Sequence, residues 1–243
     1  MQEAFGTFHI IYLVVTKTLI IVGAILAAKY CKTQKSKQIL LFTVAATLLT
    51  VFIWNRISHA VVGKDARQLL PYSYCAMTSL LLSICTMVFY KNRNHPVFHC
   101  LFYIGLIGPI AAVIFPENIL GVDSQIFAHR TISFFMHHSL LWLLSILLIV
   151  TKEFKPDWRK VHYFMLGLCV YIAFGLFQLQ ALNMEYSMEI NKPFIADSIL
   201  TWYFVGVVMA LPLVLFIAVC YEYSPRIYEI CRKRLLTDSN SKV

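Results

Sequence analysis

Seven long apolar runs, separated by short polar or charged stretches, set the pattern of this 243-residue chain. They cover about 8–28, 38–59, 70–90, 97–115, 130–150, 161–182 and 199–220. About 20 residues at 1.5 Å per residue cross a hydrocarbon layer roughly 30 Å thick, so each run predicts a membrane-spanning helix. The expected fold is all-α: a polytopic membrane protein with one seven-transmembrane-helix bundle over 1–243 and a short disordered tail from about 235. The first run is full length and MQEAFGTFH before it has no basic segment, so it predicts a retained helix and not a cleaved signal.

Polar residues inside such runs are costly, and their positions carry the most information. Here they collect toward one side. The second run ends in IWNRISH, which supplies Trp54, Asn55, Arg56 and His59. The third opens with Pro71, Tyr72, Ser73, Tyr74 and Cys75, and the fifth with HRTISFFMHHS, which carries Arg130, His137 and His138. The sixth ends in FQLQALN, with Gln178, Gln180 and Asn183, and the seventh brings Trp202 and Tyr203 after Asp197. Five helices thus contribute to one polar layer, which predicts a recess on that side of the membrane. Lys17 stands apart, in the middle of the first run, and needs a partner or a watered recess of its own.

Composition agrees with a membrane protein, with 59% hydrophobic and only 14% charged residues. The formal charge of +9 would suggest nucleic acid in a soluble protein, but here the cations gather between the runs. Lys29, Lys32, Lys35 and Lys37, then Lys91 and Arg93, then Lys152, Lys155, Arg159 and Lys160 occupy the first, third and fifth loops, and the tail adds Arg226, Arg232, Lys233, Arg234 and Lys242. The alternate loops set Lys64, Arg67 and Lys192 against Asp65, Glu117, Asp123, Glu185, Glu189 and Asp197. Basic loops stay in the cytoplasm, so the N-terminus is expected outside, the C-terminus inside and the polar layer extracytoplasmic. Nucleic acid is not an expected partner. Seven scattered cysteines show no CxxC and no metal-ligand spacing, so no metal and no cofactor is expected.

Each polar residue has a plain structural reading beside a chemical one. A free cysteine is most often a small buried hydrophobe, a histidine pair often joins helices, arginines snorkel to lipid phosphate, and Trp54, Trp202 and Tyr203 suit an aromatic belt. Cys75 differs from Cys85, ten residues on, in lying just past Pro71, a residue suited to the first helical position. A helix start favours an anion there, and the nucleophile of cysteine chemistry is the thiolate. On spacing alone, His137 shares a helical face with Arg130 and Ser133, and His138 points about 100° away. Asn55, Ser73 and Gln178 are candidate donors to an oxyanion, with nothing to select among them.

The succession LPYSYC, FHCLFYIGLIGPIAAVIFP, HRTISFFMHHSLLWLL, ALNMEYSMEINKP and TWY resembles the YwaF-like family of bacterial integral membrane proteins, related to the animal transmembrane protein 164. The resemblance covers about Leu70 to Tyr203. It sets Cys75 on the motif cysteine, Arg130 on its arginine and His138 on its histidine. The chain departs at Ser73, where the motif has histidine, and at Met184, where it has tyrosine. The resemblance implies a cysteine-dependent acyltransferase acting on glycerophospholipids of the extracytoplasmic leaflet of the cell membrane. Cys75 would be nucleophile and His138 the proton acceptor and donor, while Arg130 and Arg56 would hold the phosphate. His59, His137, Asn55, Ser73, Gln178 and Trp202 would complete the lipid site. The residues by themselves also permit a transporter or ligand-binding module with a polar pocket near the outer face, which ranks second. A retinal protein is excluded, because the seventh run has no lysine for a Schiff base.

Overall fold

The computed structural model describes residues 6–114, 128–191 and 208–225. Among the described residues the regular structure is helical. It comprises α1 (Thr7–Tyr30), α2 (Gln34–Gly63), α3 (Tyr74–Val88), α4 (Pro96–Ile114), α5 (His129–Val150), α6 (Val161–Ala181) and α7 (Val208–Pro225), with short 3-10 helices at Ala66–Leu69 and Trp158–Lys160. Six of the helices are long and apolar enough to cross a membrane. The first part of the seventh run, Trp202 and Tyr203 within it, and the C-terminal tail lie outside the described residues.

The third helix is shorter than its apolar run predicts. It starts at Tyr74 and not near Leu70, and has 15 residues. Two local effects set that start. Pro71 drives Leu70 into extended backbone (φ −73°, ψ 148°). Ser73 is extended in turn (φ −129°, ψ 158°), and its hydroxyl accepts from the Ala76 N–H as an N-cap. Pro71 therefore lies three residues before the first helical residue, and Cys75 is the second residue of the helix.

Helix α5 is the hub, packed against α1, α2, α3 and α4, while α6 packs on α4. The core gathers Leu41, Leu48, Leu82, Phe98, Phe102, Leu141, Leu144 and Phe164, with Val214 and Ala218 joining from α7. Gly167 lets α6 approach the α4 backbone, for an added Cβ there would stand 2.9 Å from the Cys100 carbonyl oxygen. By contrast α1 leaves Ile10, Val14, Leu19, Ile21 and Ile25 exposed, as a lipid-facing helix would.

Contacts between loops define the two ends. At one, the Glu153 carboxylate meets Arg93 at 2.9 Å, Lys37 at 3.8 Å and the Gln34 amide at 3.2 Å, which brings three lysine-rich connections together. At the other, Arg67 donates to the carbonyls of Leu182 and Asn183, and the Met188 N–H donates to the Tyr72 carbonyl. The polar layer belongs to this second end.

Candidate functional site

Helix α2 enters the second end with three polar residues turned inward. Asn55, Arg56 and His59 are 1%, 6% and 6% exposed. The Asn55 amide donates to the Ser133 hydroxyl of α5 at 3.0 Å, and its carbonyl accepts from Arg56 Nη2 at 2.6 Å. The guanidinium lies over the Tyr72 ring, 4.8 Å from its centre, and the Tyr72 hydroxyl meets His59 Nδ1 at 3.1 Å. Tyr72 thus ties the Arg56 side of α2 to the segment that leads into α3. Arg56 Nε and Nη1 and His59 Nε2 are buried without a hydrogen-bond partner among the described residues.

Helix α5 presents its two histidines in different directions. His137 leans on Phe52 of α2, with ring centres 6.3 Å apart, and its ring also lies against the Cys75 backbone. Neither of its ring nitrogens has a regular hydrogen bond among the described residues. His138 Nδ1 sits 2.8 Å from the Phe134 carbonyl, which can only accept. In the neutral ring the proton is therefore on Nδ1, and Nε2 keeps its lone pair, the form a general base needs. Both rings lie within electrostatic reach of Arg56, and Arg130 of α5 acts on Arg56 and His59.

Cys75 completes the cluster from α3. Its sulfur rests against α4 where Gly108 leaves room, since a Cβ on that glycine would lie 2.9 Å from Sγ. Glu189, in the segment after α6, is within electrostatic reach of the thiol. Gln178, fully buried, holds the surrounding loops: its amide donates to the Pro71 carbonyl at 3.2 Å and accepts from the Ser187 hydroxyl. Ser73 serves as the cap of α3.

The structure therefore brings Asn55, Arg56, His59, Cys75, Arg130, His137 and His138 into one cluster, with Ser73 and Gln178 at its border in structural roles; Trp202 lies outside the described residues. One expectation changes. The layer is closed by packing of α2, α3 and α5, and no open recess is seen there among the described residues. Cys75 is also no more accessible than Cys85, for each is 9% exposed. Tyr72, part of the polar layer in the sequence but given no role there, joins the cluster, as does Gly108, which the pattern of polar positions did not single out. No group of three or more metal-ligating side chains converges among the described residues.

The family comparison covers this whole arrangement. A model of the TMEM164 family matches residues 4–221, from the N-terminal flank of α1 into α7. No curated protein and no solved structure matches the chain. With nearly all of its length under that match, and with the cysteine, arginine and histidine motifs gathered at one end of the bundle, the chain belongs to the TMEM164 family.

Proposed function

We propose that this protein crosses the cell membrane seven times, with its N-terminus outside, and transfers acyl chains between glycerophospholipids of the extracytoplasmic leaflet through Cys75. The observation that carries this reading is the meeting of three groups in one buried cluster. Cys75 stands in the first turn of α3, the His137 ring lies on its backbone, and Arg56 keeps unpaired donors beside both histidines.

In the proposed reaction the Cys75 thiol gives its proton to His138 Nε2 as sulfur attacks an ester carbonyl of the lipid. The C–O bond breaks, the departing lysolipid oxygen takes that proton, and the acyl group stays on sulfur as a thioester. The hydroxyl of an acceptor lysolipid then loses its proton to the same histidine and attacks the thioester, which restores the thiol. Arg56 and Arg130 hold the lipid phosphate through both halves, and Asn55 and His59 hold Arg56 and Tyr72 in place. His137 is the competing base, favoured by its contact with the Cys75 backbone.

Turnover of a labelled phospholipid by the purified protein tests the reading. Cys75→Ala and His138→Ala should each abolish it alone, since a nucleophile and its base act as a unit. Arg130→Ala should mainly raise the lipid concentration required, because a phosphate contact present in ground and transition states alike governs binding. A solute-binding module is the second reading, and a specific observation favours it: no hydrogen bond joins the Cys75 sulfur to either histidine among the described residues. In that case Cys75→Ala would leave function intact.

A further inference from the structure

Lys17 lies beside the cluster around Cys75, within electrostatic reach of its His138, and is the eleventh residue of the 24-residue α1, near the middle of an apolar span. An ammonium at such depth is expensive and needs a partner. Its Nζ lies 4.1 Å from the centre of the Trp142 ring on α5, buried and without a hydrogen bond among the described residues. No described ion pair involves it. The Trp142 indole Nε1 is likewise buried without an acceptor among the described residues. Two neighbouring groups that can only donate thus share one seam with nothing among the described residues to receive their hydrogens.

The seam is built and directional. Along it α1 and α5 run the same way, with His9 beside Phe135, the Tyr12 hydroxyl bonded to the Phe135 carbonyl and to Ser139, and Lys17 over Trp142. His138 stands one turn before Trp142 on the same face of α5 and feels the Lys17 charge. On its outer flank α1 exposes Ile10, Val14 and Leu19, so the seam borders the hydrocarbon of the bilayer. A ligand arriving from that side would be an amphiphile, and the group it brings to Lys17 and Trp142 must accept hydrogen bonds and carry negative charge.

We infer that the α1–α5 seam is a binding site for a single-chain anionic lipid, whose carboxylate or phosphate is received by Lys17 Nζ and Trp142 Nε1 while its chain lies along the exposed side of α1. The site does not depend on acyl transfer at Cys75.

The test uses the full chain in detergent and a fatty acid with a diazirine in its tail, photolysed and quantified by mass spectrometry, in wild type and in the Cys75→Ala background. Labelling of α1 and α5 is expected in both. Lys17→Gln should lower it by about tenfold or more, the loss of a charge-assisted hydrogen bond. Lys17→Arg should retain it. Trp142→Phe, which keeps the ring face and removes the N–H, should lower it by roughly two- to tenfold. Competition identifies the source of the anion: an unlabelled fatty acid displacing best means carboxylate, lysophosphatidate displacing best means head-group phosphate, and either supports the site. Monoacylglycerol competing as well as both acids would overturn it. So would labelling unchanged in both Lys17→Gln and Trp142→Phe, and the second variant decides if the first does not fold.

Discussion

Cys75 and Gly108 meet where α3 crosses α4, and the contact leaves no room for a methyl group. Gly108→Ala should force the sulfur to shift, at about 1–3 kcal/mol of overpacking, and should lower lipid turnover together with thermal stability. Gly23→Ala is the matched control. A Cβ there meets nothing within 4 Å, so the change should be neutral or stabilising by up to about 1 kcal/mol. Because Cys75 and Cys85 are equally buried, a faster reaction of Cys75 with a small electrophile would have to come from its helix start and nearby histidines. That faster reaction is expected in the folded protein, and equal inertness would make Cys75 a packing residue. Arg56, His59, Arg130 and the histidines were legible in the sequence because a charge or imidazole is costly in an apolar run. The roles of Tyr72 and Gly108 were not, since a tyrosine near a helix end and a glycine in an apolar helix carry no such cost. Their roles exist only once α2, α3 and α4 are packed.

The helix boundaries show the same division at the scale of elements. Apolar length predicted α1, α2, α4, α5 and α6 to within a few residues, but it overran α3, because Leu70 is apolar and yet extended and Pro71 lies before the helix. The connections on either side hold this start. Arg67 donates to two carbonyls after α6, and its hydrogen bonds to Asp65 hold that carboxyl below its ordinary value of 3.8. Arg67→Ala should therefore raise amide hydrogen exchange in both 64–73 and 182–191, whereas exchange confined to the first segment would show that the two are not coupled. An acid with a lowered folded value contributes stability that is complete above its unfolded value and is lost as pH falls through the lower one. Protection of the two segments, after correction for the intrinsic pH dependence of exchange, should accordingly stay flat over about pH 6–8 and fall only in strong acid. Gly167→Ala, which drives a Cβ to 2.9 Å from a backbone carbonyl of α4, should destabilise more than Gly108→Ala, since a backbone atom yields less readily than a thiol.

At the scale of the molecule, contacts through Glu153 gather the lysine-rich loops at the end opposite Cys75, the segregation that the charges along the chain predict. The proposed orientation then expects cysteine introduced at Lys64 to react with an impermeant thiol reagent from outside the cell, and cysteine at Lys35 only after permeabilisation. Labelling of both from the same side would overturn it. Pattern and charge made the helical architecture and its two ends legible; the closed packing of the polar layer was not, because burial depends on how α2, α3 and α5 fit together. The central claim is that Cys75 carries an acyl chain. Wild-type protein reconstituted in phospholipid vesicles, digested under conditions that preserve thioesters and analysed by mass spectrometry, should show the Cys75 peptide acylated. The adduct should be lost on hydroxylamine treatment and absent from Cys75→Ala. A Cys75 peptide free of acyl chain in wild type and in His138→Ala alike, with membrane lipids unchanged when the gene is deleted, would contradict it.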